Sequence, residues 1–136
     1  MSKKSTVKDS FPELIVPSSF ESKGWGWEHV IVNKEKYCGK ILFFKKDLFC
    51  SWHYHLQKDE TFYIQSGRLK VYYSFDDCLE NGQLSDDVNT IILEEGDGFH
   101  VPVGLRHRME GLTDVYMFEF STQHFDKDSI RVLKGC

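Results

Sequence analysis

The chain has 136 residues, 40% of them hydrophobic and 28% charged, which fits one globular domain with a sizeable core. A formal net charge of −4 leaves no basic excess to attract nucleic acid, and no apolar run approaches the roughly 18 residues that a membrane helix needs. Eleven Phe, six Tyr and three Trp, with no alanine-rich stretch, favour strands over helices.

Residues 1–10 are polar and expected to form a flexible tail. They lack the apolar segment of a signal peptide. Residues 11–17 read as a packed arm or edge strand, because Pro12 and Pro17 cannot both sit in a central ladder. From Gly24 the pattern turns to β. Strands are predicted over 25–32, 39–45, 49–55, 61–65 and 69–75, with Ser66-Gly67 turning between the last two. Residues 76–89 are polar and turn-rich and make the longest loop. Further strands are predicted over 90–93, 98–101, 106–110 and 115–121, with Pro102-Val103-Gly104 as a tight turn. The stretch 125–133 fits one helical turn or a short strand. About nine short strands and no long helix imply an all-β antiparallel sandwich or barrel over residues 11–136.

Cys38, Cys50, Cys78 and Cys136 are scattered without C-x-x-C spacing and read as reduced thiols of a cytoplasmic protein. Cys38 and Cys50 fall in or beside strand-like runs and are expected to be buried small hydrophobes.

His53 and His55 stand two residues apart in a predicted strand, so both imidazoles share one face. Glu60 follows across a short turn. His107 has to arrive from a distant strand, which requires a sheet that closes on itself. Three imidazoles and one carboxylate form a mixed nitrogen–oxygen site for one divalent metal ion, Zn, Mn or Fe, with Ni also compatible. Four protein ligands leave a five- or six-coordinate ion with open positions, as a catalytic site needs. Gly67 and Gly104 are expected at positive φ, and Pro102 fixes the turn that aims His107 inward.

These residues are similar to the two cupin motifs. His53 and His55 through Glu60 to Gly67 match H-x-H-x4-E-x6-G, and Gly96 through Pro102 and Gly104 to His107 match G-x5-P-x-G-x2-H. The chain therefore resembles the cupin superfamily. The resemblance implies a cupin antiparallel β-barrel (a double-stranded β-helix, or jelly roll) with His53, His55, Glu60 and His107 as metal ligands. Two positions depart from the pattern. The glycine six residues before the first His is Asp47, and the Asn often found four residues after the last His is Gly111. Gly24-Trp25-Gly26-Trp27-Glu28 and the segment from Asp126 to Val132 resemble the start and end of the cupin domain of type II mannose-6-phosphate isomerases. That narrower likeness implies an aldose–ketose isomerase acting on a small carbohydrate or sugar phosphate.

In such a reaction the metal chelates the carbonyl and neighbouring hydroxyl of an open-chain sugar and stabilises an enediolate, while a general base moves the proton. Glu119, within an apolar strand run, is the candidate base; the alternative is a carboxylate paired with an interior Lys or Arg. Tyr54 is expected to point outward, and His29, His100 and His124 to be surface or hydrogen-bonded residues. Of Arg68, Lys70, Arg106 and Arg108, the last two share a face opposite to His107, so no phosphate clamp is evident. Two other functions fit the same scaffold: a non-haem iron dioxygenase of a small organic substrate, and a non-catalytic sugar- or small-ligand-binding module. The surplus of aromatics implies a homodimer through sheet faces or swapped edge strands.

Overall fold

The computed structural model describes residues 11–17 and 19–136. The tail expected to be flexible lies outside the described residues. Residues 11–17 form no strand, and Phe11, Leu14 and Val16 are 65%, 88% and 70% exposed. The expected packed arm or edge strand is therefore not formed.

The described residues form thirteen short strands: β1 Ser19–Lys23, β2 Gly26–Asn33, β3 Cys38–Phe44, β4 Trp52–His55, β5 Glu60–Ser66, β6 Leu69–Ser74, β7 Leu79–Glu80, β8 Gln83–Leu84, β9 Asn89–Leu93, β10 Gly98–Val101, β11 Arg106–Gly111, β12 Val115–Ser121 and β13 Ser129–Leu133. One sheet has the order β1-β2-β3-β12-β5-β10 and the other β13-β4-β11-β6-β9, with β7 and β8 as a separate hairpin. Every pairing is antiparallel. This is the jelly-roll barrel. The tail resolves into both expected forms, a 3-10 turn at Asp126–Asp128 and then β13.

Alternation along the strands sets what the barrel encloses. The inward positions of β3 are Cys38, Lys40, Leu42 and Phe44; those of β5 are Glu60, Phe62 and Ile64; those of β12 are Val115, Met117 and Glu119. Register places Val115 opposite Phe44 and Glu119 opposite Lys40. The interior is thus graded along its axis. Phe44, Ile64, Leu69, Val71, Val115 and Met117 fill the apolar part, and Lys40, Lys58, Glu60, His107 and Glu119 line the polar part. Each fully buried large apolar side chain contributes about 1.5–3 kcal/mol, and these anchor a frame on which charged residues can be held rigidly.

The two departures from the cupin motif meet in space. Asp47 takes the left-handed conformation, φ 69°, at the position where the pattern has glycine; Asp tolerates it better than most residues. Its N–H donates to the carbonyl of Gly111 at 2.8 Å, and Gly111 N–H donates to Leu48 at 3.1 Å. A Cβ on Gly111 would lie 2.7 Å from the carbonyl oxygen of Thr113, so the chain has no room there for the Asn side chain. The expected strand over 49–55 starts only at Trp52; before it, Phe49 makes an isolated bridge to Glu110 and residues 50–51 join no ladder. Gly67 and Gly104 take positive φ, 91° and 86°, as their turns require.

Candidate metal centre

His53 and His55 project inward from β4, and His107 projects from β11, the neighbouring strand, directly opposite His53. The three ring centroids lie 4.3 to 5.6 Å apart. One nitrogen from each ring lies within 4.8 Å of the others. Glu60 comes from β5 in the facing sheet, so the group bridges the two halves of the barrel. Its Oε2 lies 3.1 Å from His107 Nε2 and 3.3 Å from His55 Nε2.

The outer nitrogens fix how these rings are protonated. His107 Nδ1 lies 2.9 Å from the Leu105 carbonyl and His53 Nδ1 3.0 Å from the Ser51 carbonyl. A carbonyl only accepts, so each Nδ1 carries the hydrogen and each Nε2 keeps a bare lone pair. His55 Nδ1 faces Asp128 Oδ2 at 3.5 Å. Among the described residues neither His107 Nε2 nor Glu60 Oε2 has a hydrogen-bond partner, although both are buried and only 3.1 Å apart. Two lone pairs face each other across that gap. A cation bound by both would satisfy them, and three imidazoles with a carboxylate are suitable donors for a divalent ion.

The electrostatics agree with that chemistry. Burial holds His53 well below the ordinary histidine value, with repulsion from His107 and His55 adding to it. Burial alone would raise Glu60, but the surrounding groups outweigh it, among them the Lys58 ammonium 3.6 Å from its Oε1, and keep the carboxylate well below its usual range. His53 and Glu60 are therefore held in their metal-binding forms.

A cavity of about 940 Å³ opens beside the imidazoles. Glu119 lines it, 4% exposed, with Oε2 accepting from Lys58 Nζ at 3.1 Å. Of the two readings of this residue, the pairing with an interior cation is realised, yet the carboxylate still faces the cavity. Burial, reinforced by the charge of Glu60, pushes its pKa up to about 7 against the pull of Lys58 and Lys40. Lys58 also lies 3.6 Å from Glu60 Oε1 and donates to His124 Nδ1 at 3.2 Å.

The other sequence candidates lie elsewhere. Arg106 stacks on Tyr54 at 3.7 Å on the outer face, and Arg108 covers Phe49 at 4.4 Å. Arg68 pairs with Glu94, and Lys70 lies over Tyr72. His100 pairs with Asp59 at 2.6 Å, and His29 lies against Phe20. Sequence reasoning missed Lys40, Lys58, Asp128 and Arg131. Lys40 alternates with Leu42 and Phe44 in β3, which was a usable signal that it faces inward.

Comparison with protein families decides the classification: the model described as "Cupin domain" matches residues 44–120, more than half of the chain. The chain belongs to the cupin family. No curated protein sequence matches it. Among solved structures, this cupin is similar to the capsular polysaccharide assembling protein CapF from Staphylococcus aureus, with TM-score 0.69, 17% identity, and 83% of this chain and 33% of that chain covered. It is similar to KdgF from Halomonas sp., with TM-score 0.67, 13% identity, and 86% and 98% covered. It is also similar to oxalate decarboxylase from Bacillus subtilis, with TM-score 0.68, 13% identity, and 89% and 33% covered. The cupin spans about a third of the CapF and oxalate decarboxylase chains. At these identities the likeness shows the fold.

Proposed function

We propose that this cupin holds one divalent metal ion through His53, His55, Glu60 and His107 and acts on a small carbohydrate or sugar phosphate, in the manner of an aldose–ketose isomerase. The observation that carries the reading is Glu119, a buried carboxylate facing the same cavity as the three imidazoles. Isomerisation needs both elements: a site for the carbonyl and a nearby group that can take and return a proton. A bound metal would polarise the sugar carbonyl as a Lewis acid. Glu119 would move the proton between neighbouring carbons. Lys58 would hold Glu119 in place through its 3.1 Å contact. Glu28, Asn33 and His124 on the cavity wall offer hydrogen bonds to hydroxyl groups. The likeness to the mannose-6-phosphate isomerase domain supports the same substrate class. Oxalate decarboxylase, a structural neighbour, holds Mn(II) centres, which supports a divalent ion here.

The test is solvent deuterium exchange at the carbon beside the carbonyl, over a panel of hexoses, pentoses and their phosphates, with metal-loaded protein. Exchange that Glu119→Gln abolishes at unchanged metal content is the expected result. No exchange on any sugar would reject the isomerase. Metal-dependent oxygen uptake with an iron-loaded sample would favour the dioxygenase instead, and binding without turnover would favour the ligand-binding module.

We also propose a homodimer through the outer face of the six-stranded sheet. Phe20, Trp27, Phe43 and Tyr116 form one chain of ring contacts, with centroids 4.9 to 6.0 Å apart. Tyr63, Phe118 and Phe120 continue the face. Phe20, Tyr63, Tyr116 and Phe120 remain 39% to 58% exposed. With about 150–250 Å² per aromatic side chain, these four alone leave roughly 400 Å² of apolar surface uncovered, the size of patch that marks a contact site. A second copy presents a matching face, as a two-fold interface requires.

A further inference from the structure

We infer that Arg131, with Lys134 beside it on the cavity wall, selects substrates that carry a terminal phosphate or carboxylate. The inference rests on the carbohydrate reading above and narrows it to anionic sugars.

Register gives the first support. In the pairing of β13 with β4, Ser129 stands opposite His55 and Arg131 opposite His53. Side chains directly opposite in an antiparallel pair share a face, with Cβ atoms about 4.5–5.5 Å apart. Arg131 therefore enters the cavity beside the imidazole of His53, and it lines that cavity.

Charge accounting gives the second. Most carboxylates on the wall already lie against a lysine. Glu28 pairs with Lys40 at 2.7 Å and Lys23 at 3.6 Å. Glu21 pairs with Lys23 and Glu119 with Lys58, both at 3.1 Å. Asp126 lies 3.1 Å from His124, and Glu60 Oε1 lies 3.6 Å from Lys58 Nζ. Among the described residues, Arg131 and Lys134 make no ion pair. The wall carries as many cationic as carboxylate side chains, and these two cations are the ones left without an ion-pair partner; Arg131 is exposed enough to meet an incoming ligand. A guanidinium presents a planar fork of donors that fits either a carboxylate or a phosphate.

The test is calorimetric titration of metal-loaded protein with glucose, glucose 6-phosphate, glucuronate and inorganic phosphate, for wild type, Arg131→Gln and Arg131→Lys. Metal content and melting temperature are measured on each variant. The expected result is a preference of about tenfold or more for an anionic sugar over glucose, in line with one charge-assisted contact. Arg131→Gln removes that preference at unchanged metal content and unchanged glucose affinity, and Arg131→Lys restores part of it. The stronger of the two anionic sugars identifies the group. Equal binding of neutral and anionic sugars, or a preference that survives Arg131→Gln, overturns the inference and leaves the carbohydrate reading standing. Binding of inorganic phosphate that depends on Arg131, with no sugar bound, upholds the anion subsite and rejects the carbohydrate reading. Binding of neither in an Arg131-dependent way overturns the inference.

Discussion

Replacing Lys58 by Met removes the ammonium that touches both Glu119, at 3.1 Å, and Glu60, at 3.6 Å. Lys58, Glu60 and Glu119 are all at most 4% exposed, so solvent does little to screen the loss. Breaking a buried ion pair from one side costs about 3–5 kcal/mol, because a charge is left without a partner. For a chain of this length, 1 kcal/mol moves the melting temperature by roughly 3–5 °C, so the drop is on the order of 10–20 °C. Glu119→Gln alone leaves Lys58 with Glu60 and His124, and its effect should stay within about 1 kcal/mol. The double variant should be more stable than Lys58→Met by about 1–3 kcal/mol, since one of the stranded carboxylates is gone. The assay is urea unfolding at pH 8 with EDTA in every sample, so that metal linkage adds nothing. Additivity of the two single effects within about 0.5 kcal/mol would show that Lys58 and Glu119 do not interact, and would refute the positioning of Glu119.

Glu28 supports a pH prediction. Burial would raise its pKa, but Lys40 and Lys23 outweigh it and hold it below the ordinary 4.5. A lowered folded pKa gives stability that is present above about 4.5 and lost as pH falls through the folded value. Glu28→Gln should flatten the acid limb of the urea midpoint between pH 5 and pH 3; an unchanged limb would contradict the pairing. The thiols should separate by environment. Burial pushes Cys50 up to about 12, whereas Cys136 is exposed. At pH 8 a thiol reagent followed by peptide mapping should label Cys136 first and Cys50 only on unfolding; early loss of Cys50 would place it at the surface. Sedimentation at micromolar concentration should give a dimer for wild type and a monomer for the Tyr116→Glu, Phe120→Glu double variant, and a monomeric wild type would reject the sheet-face interface.

Much of the site was legible because it rests on short-range rules. His53 and His55 share a face through the two-residue period of a strand, and Gly67 and Gly104 announce turns that need positive φ. The residues around the site were less legible. Lys40 and Lys58 are ordinarily surface residue types; alternation with Leu42 and Phe44 marks Lys40 as inward, but Lys58, in the turn before β5, carries no such pattern and only the fold shows it to be interior. Asp128 lies outside the motif, and its role depends on the C-terminal segment folding back so that its carboxylate accepts from Gln57 and Lys58 N–H at 2.7 and 3.1 Å. Arg131 faces the cavity because β13 pairs with β4, far away in the sequence. β1 escaped because Ser19–Lys23 is too polar to show a strand pattern. The β7–β8 hairpin did carry a signal. Asn81-Gly82 is the dipeptide of a tight hairpin turn, and both residues take positive φ, 55° and 77°.

The central claim is that three imidazoles and Glu60 enclose a divalent ion. The most direct measurement is elemental analysis of protein purified without chelators or a nickel column, followed by metal titration of wild type and His107→Ala. The expected result is close to one equivalent of a divalent metal in wild type, with uptake lost in the variant while circular dichroism shows the β fold intact. Folded wild-type protein that carries no metal and takes up none on addition would contradict the account.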